Sequence, residues 1–569
     1  MEKFFYKSLE ITDLKDMLEK SGEVFYDRPA YRIRVEEGKY KVFTHGEVRR
    51  MVDALGTALI SLGLKDKRIA VIGENRYEWE IAYLAIVCGT GIVVPLDKSL
   101  PANELENLIK RSEVEAIFFT SKYKDAIAKI KAKGDTNLKY IIQMDIDKDD
   151  RDIISEKELI SKGEILLEND DRNFVDAVID PNKMSIMLFT SGTTAASKIV
   201  ALSHKNICTN LMDLGEVLDV NETDTVLSIL PIHHVFECTV GFLLALYKGA
   251  ETVFCDGIRH LVDNLYEYKV SVMACVPGIY ERIFKIIRKK IEKDGKLEKI
   301  LEDEEKYKNL TIEERKEKFK EIHDMLGGRI KLFISGAAAL DRRIEEKYRL
   351  LGLNIVQGYG LTETSPVVAI GTNSYHRIGS VGRKLPSLDV KISNPNQDGI
   401  GEIIVKGPTV MLEYFGNKEA TDEVMDGECF HTGDLGRMDE DGYLFICGRK
   451  KSVIVLKNGK NIFPEEMENL VNKIEDVEES MIFGMAKSDD EDDIKINAIL
   501  VVNKNGLKEK YGIETDEEIY KVLYSKVKKI NNVMPPYKAI KKLVITEKPL
   551  IKTTTNKIKR QANLDAIKK

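Results

Sequence analysis

The stretch RIAVIGENRYEWEIAYLAIVCGTGIVVPLD, residues 68–97, decides the fold class. It reads strand, turn, helix, strand, and alternation of this kind is the signature of a parallel α/β sheet. Working outward, ANELENLIKRSE (102–113) reads as a helix and EAIFFTSKY (115–123) as a further strand. The same stretch contains the most membrane-like segment of the chain, IAYLAIVCGTGIVVPL (81–96). It falls short of the ~18–20 apolar residues that a span needs. The expectation is therefore a buried helix running into a buried strand.

The totals suit that reading. The chain has 569 residues, 43% of them hydrophobic, which is ordinary globular composition. Single cores stop growing near ~250–300 residues, so two or more domains are expected. The net charge of −7 argues against a dedicated nucleic-acid binder, which needs a strong basic field. The start, MEKFFYKSLEITDLKDML, has neither an apolar core nor a small-residue cleavage site, so no secretory signal is read. The seven cysteines are scattered and show no CxxC spacing, as expected of reduced thiols packed as small hydrophobes in the cytoplasm.

Further along, the acidic run MDIDKDDRDIISEKE (144–158) reads as a solvated connection. From 281 to 328 the pattern is helical and highly charged, an excursion of two or three helices. RIKLFISGAAALD (329–341) returns to a buried strand ending in a small-residue turn. After 380, GEIIVKGPTVMLEYF and GYLFICGRKKSVIVLKNGKNIF read as short strands with glycine turns, a β-rich part over about 380–447. PEEMENLVNKIEDVEESMIFGM opens a helix on proline and then enters a strand. The expected architecture is a large N-terminal domain, 1–448, of mixed and parallel sheets with helices. A small, mobile α+β domain, 449–569, follows it.

The loops carry the chemistry. MLFTSGTTAASKIVALSH (187–204) sets hydroxylated residues, one glycine and Lys198 between two apolar runs. Hydroxyls and backbone N–H groups donate to phosphate oxygens, glycine permits close approach, and lysine adds a point charge. The G-x-x-x-x-G-K-[ST] pattern is absent, so this is not a Walker loop. QGYGLTETSP (357–366) sets Tyr359, Gly360, Thr362 and Glu363 in a loop after the strand LNIV. HTGDLG (431–436) offers Asp434 in a turn, GRKKS offers Arg449 and Lys450, and PLIKTTTNKIKR (549–560) offers Lys557 in a basic tail. Taken one at a time, each has a bland alternative: a turn aspartate, a solvated charge run, a surface lysine.

Five such motifs in order resemble the adenylate-forming, AMP-binding superfamily of acyl-CoA synthetases, non-ribosomal adenylation domains and luciferases. HHVFE (233–237), VPGIYERIF (276–284) and GENRYEWEIAYLAI (73–86) resemble its long-chain fatty acyl-CoA synthetase branch. The resemblance implies that a carboxylate attacks the α-phosphate of ATP, and that coenzyme A then displaces AMP from the acyl-adenylate. It implies that Thr190, Ser191, Gly192, Thr193, Thr194 and Lys198 hold phosphate. Gly336, Ala337, Ala338, Tyr359 and Gly360 would surround adenine. Thr362 would contact the α-phosphate, and Glu363, helped by Thr190, would bind Mg²⁺. Asp434 and Arg449 would serve the ribose. Lys557 would be the adenylation lysine, His234 an active-site histidine, and Lys450 the hinge. An apolar acyl channel is expected near 205–245 and 277–285.

The sequence also departs from the family pattern T-S-G-T-T-G-x-P-K-G. Ala195 stands for the second glycine, Ser197 for the proline and Ile199 for the last glycine, while Asn556 replaces the glycine before Lys557. Alanine held at positive φ costs roughly 1 kcal/mol or more. The implied partners are a fatty acid, ATP and coenzyme A, with acyl carrier protein as the rival acceptor. A non-catalytic nucleotide or acyl binder is the alternative from another class. The expected state is a monomer or homodimer in the cytoplasm, with at most peripheral contact at the inner face of a membrane.

Overall fold

A computed structural model describes residues 6–190, 197–292, 307, 309–456, 461–487, 490–552 and 558–568. Within 68–97 the strand Lys67–Ile72, the helix Tyr77–Ala85 and the strand Gly91–Pro95 appear as expected, the two strands parallel and in register from Lys67↔Gly91 to Val71↔Pro95. Between helix and second strand the chain passes through a wider π-turn at Ile86–Thr90. From Trp79 to Ala85 the helix is buried on every side; on one face Trp79 stacks on Tyr83 at 5.5 Å and Tyr83 meets the edge of Phe242 at 5.9 Å.

These strands belong to an eight-stranded sheet. Its order is Glu413–Tyr414, Ile199–Ser203, Met184–Phe189, Gly91–Pro95, Lys67–Ile72, Ala116–Phe119, Tyr140–Gln143, Ile153–Ser155. A nine-stranded sheet runs Arg383–Lys384, Val367–Ile370, Ile355–Gly360, Leu332–Ser335, Val272–Cys275, Thr225–Ser228, Glu251–Phe254, Pro29–Glu36, Lys39–Thr44. One apolar cluster joins the two sheets, with Val93 and Leu188 from the first and Val226, Ile334 and Val356 from the second. Helices Ala102–Ser112 and Lys124–Lys133 cover the far face of the first sheet through Leu105, Ile109, Ile127 and Ile130. Helices Leu261–Tyr268, Pro277–Glu292 and Arg342–Leu350 cover the second through Leu265, Tyr280 and Tyr348.

The helix His204–Val217 binds the pieces that carry the site. It begins in a capping box, Ser203 Oγ accepting from Asn206 N and Asn206 Oδ1 from Ser203 N. The Asn206 amide also donates to the carbonyls of Pro408 at 2.7 Å and Val410 at 2.9 Å, and Asn210 Nδ2 donates to Val367 O at 2.8 Å. Segments 365–370 and 408–414 are thereby docked on one helix.

The β-rich part is a five-stranded antiparallel sheet containing Asp389–Ser393, Gly401–Lys406, Cys429–Met438, Met425–Asp426 and Leu444–Arg449. The C-terminal part has its own core, with Met467, Val471, Leu523, Val527 and Ile540 around the strands Glu479–Lys487, Asp490–Val501 and Lys542–Thr546. Lys473 of this part reaches Asp341 at 2.7 Å. The charged excursion is helical where described, at Pro277–Glu292, Ile312–Lys318 and Lys320–Met325.

One element was not expected. The acidic run 144–158 contains the strand Ile153–Ser155, which pairs in parallel with Tyr140–Gln143 and ends the eight-stranded sheet. Its two isoleucines supply an edge strand inside a solvated sequence. All seven cysteines are free thiols. Among the described residues no helix is long and apolar enough to cross a membrane.

Candidate active site

Two clusters built around predicted residues form where the sheets meet. In the first, Tyr359 Oη donates to Asp434 Oδ2 at 2.8 Å, and Arg449 Nε meets Asp434 Oδ1 at 2.8 Å. Neither Tyr359 nor Asp434 lies in a loop, which corrects the sequence reading. The strand Ile355–Gly360 runs through Tyr359 because it pairs antiparallel with Val367–Ile370, Tyr359 facing Ala369. Gly360 is required there, since a Cβ would lie 1.9 Å from Pro366 O. Asp434 sits mid-strand in Cys429–Met438, directly across from Arg449. It is 5% exposed, so its charge relies on these donors. Burial, reinforced by the Asp434 carboxylate, pushes the Tyr359 phenol well above its ordinary value and keeps it a donor.

The second cluster is Glu363, Tyr414 and Lys198. Glu363 lies in the short 3₁₀ turn Thr362–Thr364. Its Oε1 accepts from Tyr414 Oη at 2.7 Å, and its backbone carbonyl accepts from Met411 N at 2.8 Å. The Lys198 ammonium lies 4.2 Å from the centre of the Tyr414 ring. Burial and the Glu363 carboxylate together raise the Tyr414 phenol. Thr190 N donates to Lys198 O at 2.9 Å and closes the base of the hydroxyl-rich segment. Ser191, Gly192, Thr193 and Thr194 lie outside the described residues, as do Ala195, Asn556 and Lys557.

His234 stands on a different wall. Its ring lies 4.3 Å from that of His233, whose Nε2 is 3.6 Å from Asp97 Oδ1. Burial, then the His234 ring, lowers His233 to about 3, so it is neutral. Two residues on, Phe236 packs against Gly336, where a Cβ would come within 2.8 Å of the ring. That contact links the His234 segment to the turn Gly336–Ala338. Ala337 is held there at φ +66°, a strained conformation for alanine. Glu237 is 1% exposed, accepts from Ser228 Oγ at 2.7 Å, and is raised by burial to about 7.

The hinge candidate Lys450 is tied down. Its ammonium reaches Glu402 Oε2 at 2.9 Å, and the other oxygen, Oε1, accepts from Gly433 N at 3.2 Å. Sequence reading missed Tyr414, Phe236, Glu402 and Asp97. Tyr414 sat within the quoted MLEYF, yet nothing in its spacing marked it.

The arrangement is a charge-organising site. It offers a carboxylate with lone pairs to spare at Glu363, a lysine held over a ring beside it, and a buried carboxylate clamped by a phenol and a guanidinium. Among the described residues no group of three or more His, Cys, Asp or Glu could hold a metal by itself. A single carboxylate still fits Mg²⁺, which keeps its waters and binds through one or two carboxylates plus substrate phosphates.

Two family models match the chain. One, described as AMP-binding enzyme, covers residues 18–415, and one described as AMP-binding enzyme C-terminal domain covers 451–569. Long chain acyl-CoA synthetase 3 of Arabidopsis thaliana is 27% identical over 79% of this chain and 72% of its own. The long-chain-fatty-acid–CoA ligase FadD15 of Mycobacterium bovis is 26% identical over 81% of this chain and 78% of its own. Among solved structures, ATP-bound MatB from Rhodopseudomonas palustris superposes with a TM-score of 0.75 at 23% identity, covering 98% of this chain and 99% of that one.

Proposed function

The chain belongs to the AMP-binding enzyme family, and from that premise we propose that it activates a long-chain fatty acid with ATP and passes the acyl group to coenzyme A. The observation that carries the chemistry is the Glu363–Tyr414–Lys198 cluster, joined through the strand Ile355–Gly360 to the Tyr359–Asp434–Arg449 cluster.

A fatty carboxylate and a triphosphate repel each other, so the site must bring two anions into line. Lys198, beside the hydroxyl-rich segment, supplies a positive charge toward the phosphates. Glu363 would hold Mg²⁺, which when bound neutralises phosphate charge and polarises the phosphoryl oxygens. Tyr414 Oη fixes the orientation of that carboxylate in advance. Asp434, clamped by Tyr359 and Arg449, would accept hydrogen bonds from the ribose hydroxyls. Tyr359 would flank adenine with its ring, and Gly336–Ala338 would line the opposite side, with Thr362 at the α-phosphate.

In the first step the carboxylate oxygen attacks the α-phosphorus and the bond to pyrophosphate breaks. Lys557 would steady the charge that develops. In the second step the thiol sulfur attacks the acyl carbon, the bond to AMP breaks, and the thiol proton passes to solvent. Lys557 in the first step and the thiol in the second must each reach the same acyl carboxyl group, which calls for a rearrangement about Lys450 between steps.

Pyrophosphate exchange tests the reading. Wild-type protein should return labelled pyrophosphate into ATP only when fatty acid is present, and Lys557→Ala should lose that exchange. A protein that binds ATP yet shows no acid-dependent exchange would be a binder instead. AMP release measured with acids of graded length, with coenzyme A or acyl carrier protein, then fixes chain preference and acceptor.

A further inference from the structure

We propose that Arg111 is a positioning residue for Ser197 and, through it, for Lys198, gripping Ser197 from the neighbouring helix. Arg111 lies in the last turn of the helix Ala102–Ser112, whose Leu105, Leu108 and Ile109 are buried against the eight-stranded sheet. Its guanidinium is therefore carried by a rigid element. Nη1 donates to Ser197 Oγ at 3.0 Å and Nη2 donates to Ser197 O at 2.6 Å. The same guanidinium stands 5.6 Å from the ring centre of Phe189. Phe189 ends the strand that enters the segment and pairs with Ile199, which begins the strand that leaves it. One side chain thus touches both rails of the hairpin at its mouth, and Thr190 N bonded to Lys198 O closes the space between them.

The chemistry of position 197 gives this contact its purpose. The family pattern has proline there, whose ring fixes φ near −65°. Serine lacks that restraint but offers a hydroxyl and a carbonyl on one residue. A planar guanidinium that takes both fixes orientation as well as distance, which a lysine ammonium cannot do. The next residue is Lys198, whose ammonium must stay over the Tyr414 ring beside Glu363. Arg111 thereby supplies externally the stiffness that proline supplies internally.

Lys198's role in this argument rests on the function proposed above, whereas the anchoring can be measured without turnover. The full-length chain is compared as wild type, Arg111→Ala, Arg111→Lys, Ser197→Pro and the Arg111→Ala/Ser197→Pro double variant. Hydrogen exchange is followed without nucleotide at the Thr190 amide and at Ile199–Leu202, and KM is measured for ATP and for acid. Arg111→Ala should speed exchange at Thr190 about tenfold, since the two lost bonds are charge-assisted. It should raise KM for ATP by about the same factor while KM for the acid stays within about twofold. Arg111→Lys should behave like Ala, because it keeps charge but loses the fork. In the Ser197→Pro background the added effect of Arg111→Ala should shrink below about threefold, the mark of a shared function.

Unchanged exchange in Arg111→Ala, full rescue by lysine, or an equal effect in the proline background would overturn the proposal. The last outcome would make Arg111 a direct phosphate contact. If the alanine variant does not fold, the lysine variant carries the same measurements. If wild type shows no acid-dependent pyrophosphate exchange, the functional reading fails, and the amide data still decide the role of Arg111.

Discussion

Replacing Tyr414 separates two roles that one side chain combines. Its hydroxyl donates to Glu363 at 2.7 Å, and its ring carries the Lys198 ammonium at 4.2 Å. Tyr414 is 4% exposed, so phenylalanine fills the same space and only the hydroxyl is lost. A hydrogen bond to a charged group contributes about 1.5–3 kcal/mol. Glu363 is only half-buried and can recover part of this from water, so the lower end applies, about 1.5 kcal/mol or roughly tenfold. Tyr414→Leu also removes the ring, and a partly exposed cation–π contact adds about 0.5–1 kcal/mol, a further twofold to fivefold.

The assay is acid-dependent pyrophosphate exchange over a range of ATP and Mg²⁺ concentrations. KM for ATP and the Mg²⁺ needed for half-maximal exchange should rise in the order wild type, Phe, Leu, with KM for the acid nearly constant. Glu363→Gln combined with Tyr414→Phe should lose less than the sum of the single losses, with a coupling of about 1 kcal/mol. Equal effects of Phe and Leu would remove the ring from the argument. Strict additivity with Glu363→Gln would refute the idea that Tyr414 acts by orienting that carboxylate.

Four further outcomes can be measured. Asp434→Asn should weaken ATP by about tenfold or more, and the penalty should shrink when 2′-deoxy-ATP is the substrate, because part of it lies in a ribose hydroxyl bond. Glu402→Gln should leave adenylation rates within about twofold and speed thioester formation up to about fivefold, since it frees Lys450. An exposed pair such as this, with Lys450 62% exposed, holds by no more than about 1 kcal/mol. Lys450→Pro should depress thioester formation alone, and equal loss of both steps would displace the hinge. For Glu237, burial raises the folded value to about 7 from an ordinary 4.5, so the folded state keeps a proton that the unfolded chain releases between those values. Stability from this group is present below about pH 4.5 and is lost as pH rises to about 7. Glu237→Gln should therefore raise the melting temperature more at pH 8 than at pH 5, and an equal shift at both would assign the effect to packing alone.

The sequence was most legible where local pattern and tertiary role agree. Residues 68–97 showed a β-branched run, an apolar helix and a second β-branched run, and each is buried in the form its composition favours. The glycine turns after 380 likewise announced a β-rich part, which is an antiparallel sheet. Tyr359 and Asp434 were picked out, yet assigned to loops. Glycine and aspartate have low strand propensity, and only pairing to distant partners, Ala369 and Arg449, draws these segments into strands. Ile153–Ser155 was hidden for the same reason, since its partner strand at 140–143 outweighs the acidic residues around it.

What no local pattern could show is the joint between the two sheets. Tyr414 lies on the edge strand Glu413–Tyr414 of the eight-stranded sheet, whereas Glu363 follows the strand Ile355–Gly360 of the nine-stranded one. Their hydrogen bond spans 51 positions in sequence. It exists because Asn206 and Asn210, one turn apart on a third element, hold segments 408–410 and 367 by their carbonyls. Those two asparagines look in sequence like ordinary polar positions on an amphipathic helix. Both are buried, so removing the Asn206 amide would take a donor from two backbone carbonyls and removing the Asn210 amide would take one from Val367. The placement of the candidate Mg²⁺ carboxylate thus depends on a helix that need not touch nucleotide, and Asn206→Leu should perturb ATP use through Tyr414. If KM for ATP stayed unchanged while the melting temperature fell, the helix would be a support for the fold alone.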